Sequence, residues 1–381
     1  MERRPSSRCS DTVRALVAFS LLLSAACGPP ASAVVDAGYD WKLPKGFPTP
    51  KVPDDNPMTA EKVQLGRKLF YDVRLSKNRT QSCATCHEQK RAFTDGRMTG
   101  LGSTGEAHPR NPQGLTNVAF NATLTWANPL VTTLERQALL PLLGEHPVEL
   151  GFGSDEATLI ARLQSEDDYA ERFARVFPGE AISLVTITRA LASFERVLIS
   201  GNSPWDRYSA GDASALSDSA KRGLELFNSE TLECYHCHAG FNFADSVVHA
   251  GSAAPDAPFH NTGLYNLDGN GAYPAGNAGL IEVTGRAGDM GRFRAPSLRN
   301  ATVTGPYMHD GSIATLRDVI THYAQGGRSK RQTGMFSPLQ SDLVRGFTLS
   351  AQETEDLLAF LAALTDDEFL TKPELASPFP P

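Results

Sequence analysis

Four of the six cysteines fall in two copies of one pattern, Cys83-Ala-Thr-Cys86-His87 and Cys234-Tyr-His-Cys237-His238. Each is C-x-x-C-H, the attachment site of a c-type haem. Two thiols one helical turn apart can each add to a porphyrin vinyl group. The adjacent histidine then lies beneath the iron as its ligand. Chance assembly from this composition gives on the order of 0.002 copies of the pattern, so two copies carry weight. A structural zinc site would want two more thiolates or histidines at paired spacing. A thioredoxin-type pair does not require the histidine. The reading is two covalently held haems, with His87 and His238 as iron ligands.

Such motifs need rigid elements before them. Gly66-Arg-Lys-Leu69-Phe70 precedes the first and Gly223-Leu-Glu-Leu226-Phe227 the second. Both sit in helical stretches, Thr59–Tyr71 and Ser217–Phe227, so the chain reads as two cytochrome-c-like halves. Further helical signals are an apolar-periodic run from Ser154 to Phe177, another over Ser183–Ile199, and a capping box Ser350-Ala-Gln-Glu353 ahead of Leu357–Leu364. No strongly alternating strand series is present. The expected fold is mainly α, with two haem domains (55–208 and 209–370, joined near Gly201–Ala215) and a tail over 371–381. The Gly/Pro-rich stretches Gly100–Gly114 and Gly251–Gly291 read as long loops, which in a compact domain usually carry function.

With 381 residues, 41% apolar and 21% charged, the chain is long enough for two cores and is neither disordered nor a polytopic membrane protein. Its net charge of −7 argues against a nucleic-acid binder, which needs a basic face. At the N-terminus, Arg3, Arg4 and Arg8, an apolar run from Val13 to Leu23, and Ser24-Ala-Ala-Cys27 read as an export signal over residues 1–27. The apolar run is too short to span a membrane. Export suits c-type haem attachment and points to the periplasm. Cys27 behind small residues looks like a lipidation site, so the only membrane contact expected is an N-terminal lipid anchor. Residues 28–54 then form a Pro-rich spacer.

From about Asp55 to Asp366 the sequence resembles the bacterial di-haem cytochrome c peroxidase and MauG family. The shared text includes Leu65-Gly-Arg-Lys-Leu-Phe-Tyr-Asp72, His108-Pro-Arg-Asn111, Arg294-Ala-Pro-Ser-Leu-Arg-Asn300 and Pro306-Tyr-Met-His-Asp-Gly-Ser312. The similarity extends to the MbnH-type enzymes of that family in Asp55-Asn-Pro-Met58, Leu124-Thr-Trp-Ala-Asn-Pro129, Phe259-His-Asn-Thr-Gly-Leu-Tyr-Asn266 and Asp289-Met-Gly-Arg-Phe-Arg294.

The resemblance implies roles. His87 would ligate the haem that meets hydrogen peroxide, and His238 the second haem. Fourteen residues past His309 lies Tyr323, at the family's second-ligand position for that second haem. A phenolate there favours the higher oxidation states of iron, where the thioether of a methionine favours ferrous iron. His322, Met308 and Met335 are the neighbouring rivals, and helix packing is the bland role for Tyr323. Trp126 matches the tryptophan between the haems. Gln137, Pro141 and Glu149 match the pocket above the first haem, in Leu134-Glu-Arg-Gln137 and His146-Pro-Val-Glu149. A calcium ion would take the Asn111 side chain and the carbonyls of Thr304 and Pro306. His108 does not align cleanly with the inhibitory ligand of some peroxidases and stays unassigned; His249 and His260 read as satisfied loop histidines.

The implied activity is a peroxide-dependent oxidase that forms a two-electron-oxidised, bis-ferryl-type state. It would oxidise a small exported, MbnP-like partner at long range, converting tryptophan to kynurenine. The alternative is a cytochrome c peroxidase fed by a small cytochrome or copper protein. A third reading, a plain electron carrier, leaves no use for an acid above an open iron.

Overall fold

The computed structural model describes residues 39–253 and 257–380. The expected export signal and the expected lipidation site at Cys27 lie outside them. The principal helices are α1 (Ala60–Phe70), α2 (Leu134–Leu143), α3 (Glu156–Gln164), α4 (Asp167–Val176), α5 (Leu184–Glu195), α6 (Asp218–Phe227), α7 (Leu316–Ala324) and α8 (Ala351–Ala362). Single-turn helices and irregular segments connect them. Among the described residues the only extended pairings are isolated bridges, such as His260 with Phe293. No helix among these residues is long and apolar enough to cross a membrane.

Six of these eight helices begin where a side chain caps them. The Thr59 hydroxyl accepts from the Lys62 amide at 3.1 Å and opens α1. Ser183 with Thr186, and Ser350 with Glu353, form reciprocal capping boxes that open α5 and α8. The run expected from Ser154 to Phe177 is two helices rather than one. Ser165 turns its hydroxyl back to the Arg162 carbonyl (2.8 Å), and α3 ends there. α4 restarts and buries Tyr169 and Phe173 one turn apart.

The two haem motifs sit in one structural unit used twice. α1 packs on α5, and a Cβ at Gly66 would fall inside the van der Waals shell of the Ala190 carbonyl oxygen. α6 packs on α8, and a Cβ at Gly223 would do the same to the Asp356 carbonyl oxygen. An aromatic pair closes each crossing, Phe70 with Phe194 at 5.2 Å and Phe227 with Phe360 at 5.1 Å. The repeat continues past the motifs. Gln113-Gly-Leu-Thr-Asn117 and Pro296-Ser-Leu-Arg-Asn300 each end on an asparagine in the left-handed region (φ 56° and 60°). Each asparagine opens a 3₁₀ turn, Val118–Phe120 and Ala301–Val303.

The described residues fall in one compact unit, within which the buried apolar side chains form separate clusters. One cluster gathers α1, α3, α4 and α5. Another gathers α6, α8 and the Cys234 motif. Two segments tie across this division. Residues 39–54, read as spacer, are packed: Tyr39, Trp41 and Val52 lie on the first cluster, and Phe47 stacks edge-on to Phe120 and Phe241. The expected tail is also held down, because Leu375 is buried in the first cluster, beside Phe369 from the turn before it.

Candidate functional site

His87 and His238 are set alike. Nδ1 of His87 lies 2.7 Å from the Phe93 carbonyl, and Nδ1 of His238 lies 3.2 Å from the Phe243 carbonyl. Both carbonyls belong to residues at positive φ, a turn that aims the oxygen back at the ring. With Nδ1–H donating, Nε2 is the nitrogen left for a metal. Burial pulls both imidazoles below their ordinary pKa and keeps them neutral, as ligation requires.

Each histidine opens on a cavity. The first is lined by Cys83, Cys86, His87, Gln137, Pro141 and Glu149 among others. The structure thus brings the expected pocket residues to one place. Gln137 and Pro141 come from successive turns of α2, and Glu149 from the loop that follows. The Glu149 carboxyl is pushed up to about 7 by burial. His108 enters the same cavity, its Nδ1 3.8 Å from Glu149 Oε1, and burial pulls its pKa down. Glu195 of α5 also lines this cavity. It is buried, one carboxylate oxygen has no partner among the described residues, and burial pushes it up to about 8.

The second cavity is lined by Cys234, Cys237, His238, His309 and Tyr323. Of the rivals to Tyr323, His322 is spent: Nε2 lies 3.0 Å from the Thr262 carbonyl and Nδ1 accepts from the Arg328 amide at 3.1 Å. Met335 is on the surface. Met308 does line the cavity. His260 is more than a loop histidine. It lines this cavity and pairs with Asp245 at 2.5 Å, which raises it to about 10. His249 matches its expectation, with Nδ1 accepting from the Gly251 amide within its own turn.

The two cavities share a wall. Asn111, Pro112, Gln113, Gly114, Asn121 and Trp126 line both. Trp126 is buried there, and its Nε1 donates to the Asn111 carbonyl at 2.8 Å. Asn111, Thr304 and Pro306 also share the lining of the second cavity.

Comparison with known proteins fits this paired architecture. A family model described as di-haem cytochrome c peroxidase matches residues 60–214. The methylamine utilization protein MauG of Methylophilus methylotrophus is 38% identical over 326 residues, covering 85% of this chain and 87% of that protein. The chain belongs to the di-haem cytochrome c peroxidase and MauG family. The cytochrome c551 peroxidase of Pseudomonas aeruginosa is 30% identical over 351 residues, covering 91% and 90% of the two chains. A solved structure described as a MauG-like protein associated with microbial copper homeostasis shares 49% identity, with a TM-score of 0.86 over 90% of this chain and 99% of that one. The protein is therefore a di-haem oxidoreductase dependent on hydrogen peroxide.

The residues fit the two haems the family carries. All four motif cysteines are free thiols on the cavity walls, each pair beside a histidine with Nε2 available. Arg294 gives an independent sign. It is buried in the wall of the second cavity, bonded to Gln113 and to carbonyls, with no carboxylate partner among the described residues. A buried guanidinium without a counter-ion suits the carboxylates of a haem. Sequence reasoning passed over Glu195, Arg294 and the His108–Glu149 approach. Glu195 had a signal, as a carboxylate on the apolar face of α5. The others depend on long-range placement.

Proposed function

We propose that this protein is a peroxide-dependent oxidase that holds two oxidising equivalents and withdraws electrons from a small exported partner protein. Trp126, in the wall common to both cavities, carries the reading. An indole can be transiently oxidised and so can relay between two redox centres. The two haems, when bound, supply the centres at which peroxide is reduced and oxidising equivalents are held. Glu149 moves a proton between the two oxygens of the peroxide, and its raised pKa suits that work near neutral pH. Pro141 lines the same cavity as His87 and offers no side-chain ligand there; Gln137 borders the same space.

Tyr323 is the oxygen ligand for the second haem. Burial pushes its phenol well above the ordinary value, so the phenolate needs a cation in the cavity, and ferric iron is one. Asn111, Thr304 and Pro306 hold a calcium ion, with hard oxygens as that ion prefers. The chain works in the periplasm, anchored through a lipid on Cys27. The partner is MbnP-like, and the change made is tryptophan to kynurenine. The MauG-like relative associated with microbial copper homeostasis favours this branch.

One observation favours a second reading. Met308 lines the same cavity as Tyr323, and a thioether ligand there would suit an electron-fed cytochrome c peroxidase. The two readings separate on the ferric holoprotein titrated with hydrogen peroxide. The oxidase consumes peroxide stoichiometrically without prior reduction and gives a long-lived two-electron-oxidised spectrum. Tyr323→Met removes that spectrum with both haems retained, and Met308→Leu does not. The reverse pattern selects the electron-fed peroxidase. Mass spectrometry of small exported proteins treated with enzyme and peroxide then reads the modified residue; an unmodified tryptophan in every candidate rejects the kynurenine step.

A further inference from the structure

Residues 327–346 leave the end of α7, the helix of Tyr323, and close over the second cavity. The Gly326 amide donates to the Tyr323 carbonyl and the Phe347 amide to the Ala324 carbonyl, both at 2.9 Å. Both ends of the segment are thus pinned to the last turn of α7. Leu343 lines the cavity and is also 37% exposed, so one apolar side chain touches both solvent and the space beside Tyr323. Met335 is 60% exposed and Phe336 42%. The Phe336 ring lies against Gly326, and Lys330 Nζ stands 4.0 Å from its centroid. Three exposed apolar side chains on one short segment beside a redox cavity are more than scattered surface hydrophobes.

The charge on this segment is opposite to that of the chain. Arg328, Lys330, Arg331 and Arg345 stand against the single anion Asp342, in a protein of net charge −7. Arg345 pairs with Asp342 at 2.6 Å. Arg328 turns to the carbonyl and hydroxyl of Ser312. Among the described residues, Arg328, Lys330 and Arg331 have no carboxylate at ion-pair distance. Three uncompensated like charges within four residues repel one another, and anionic groups opposite would relieve that repulsion.

We infer that this face is the docking surface for a small acidic protein. Its apolar contact side chain rests on Met335, Phe336 and Leu343, and its carboxylates face Arg328, Lys330 and Arg331. The assignment rests on the proposed oxidase function and names where its partner sits. In each turnover one hydrogen peroxide is reduced to two waters, and the partner gives up two electrons and two protons; two such turnovers, with two oxygen atoms taken from water and a final hydrolysis that releases formate, carry tryptophan to kynurenine. Leu343 is the point at which the partner comes nearest the second cavity. Cations around the patch steer an acidic partner and reject a basic one.

Two synthetic probes test this, a glutamate-rich and a lysine-rich peptide, each with one central tryptophan and a fluorophore. Anisotropy with the ferric holoprotein should show the acidic peptide binding at least about tenfold tighter than the basic one, with affinity falling as salt rises. Lys330→Glu with Arg331→Glu should reverse that preference while peroxide consumption stays at the wild-type rate. Met335→Ser should weaken the acidic peptide about threefold or more without changing its salt dependence. Equal affinity for both peptides, or the same preference in the charge-reversed variant, overturns the assignment. So does a dimer in sedimentation that the charge reversal dissolves, which would give the face to a second copy of this chain. Binding is read on the resting protein. A wild type that binds by charge but stores no oxidising equivalents therefore rejects the oxidase reading alone.

Discussion

Glu149 stands at the balance between its two protonation forms near neutrality, because burial pushes its carboxyl up to about 7. Only the carboxylate can accept a proton from peroxide. Below that pKa the reactive fraction grows with pH, so the peroxide rate should climb nearly tenfold per unit up to about pH 6.5 and level off above 7.5. Glu149→Gln should flatten this rise and slow the reaction by about 10²-fold or more in stopped-flow absorbance. An unchanged profile would remove Glu149 from the chemistry. The two C-x-x-C-H motifs were legible because their residues lie close along the chain, and the structure places each motif on a cavity wall. The approach of His108 to Glu149 was not, because the two residues meet only when two loops fold over one cavity.

At the scale of elements, the two helix crossings depend on the absence of a side chain. Gly66 and Gly223 lie where α1 meets α5 and α6 meets α8, and neither carbonyl beneath them belongs to a flexible side chain that could yield. Gly66→Ala and Gly223→Ala should each cost about 3 kcal/mol as the helices are forced apart, despite alanine's better helix propensity. Thermal melting of the holoproteins followed at 222 nm would show it. A variant melting with the wild type would mean that the crossing can slide. The glycines and the Leu-Phe pair three residues on were readable as a repeat, and caps such as Ser350–Glu353 placed helix starts well. The break at Ser165 was hidden, because the apolar period of Leu159, Leu163, Tyr169 and Phe173 runs on through it.

The whole molecule is held together by chain that local sequence gave no reason to place. Pro-rich composition over residues 28–54 and 371–381 suggests linkers, whereas what decides is which apolar side chains find a groove. Phe369 packs against Phe93 with the rings tilted, and Leu375 is buried in the same cluster, the one that carries the first haem motif. Backbone groups of the same segment are bound to the first half. Tyr71 Oη donates to the Leu375 carbonyl (2.7 Å), Arg67 Nε to the Ala376 carbonyl (2.6 Å), and Gln89 Nε2 to the Lys372 carbonyl (2.9 Å). The chain that follows the second motif thus returns to brace the first half. Deleting residues 372–381 should lose about 2 kcal/mol of Leu375 burial and about 1 kcal/mol for each side-chain hydrogen bond to the segment. The loss should appear as a lower melting temperature and faster proteolysis around Gln89–Arg91, with the Tyr323 side unchanged. If the truncated holoprotein melts and resists protease like the full chain, the C-terminal segment only covers the first core and does not couple the halves.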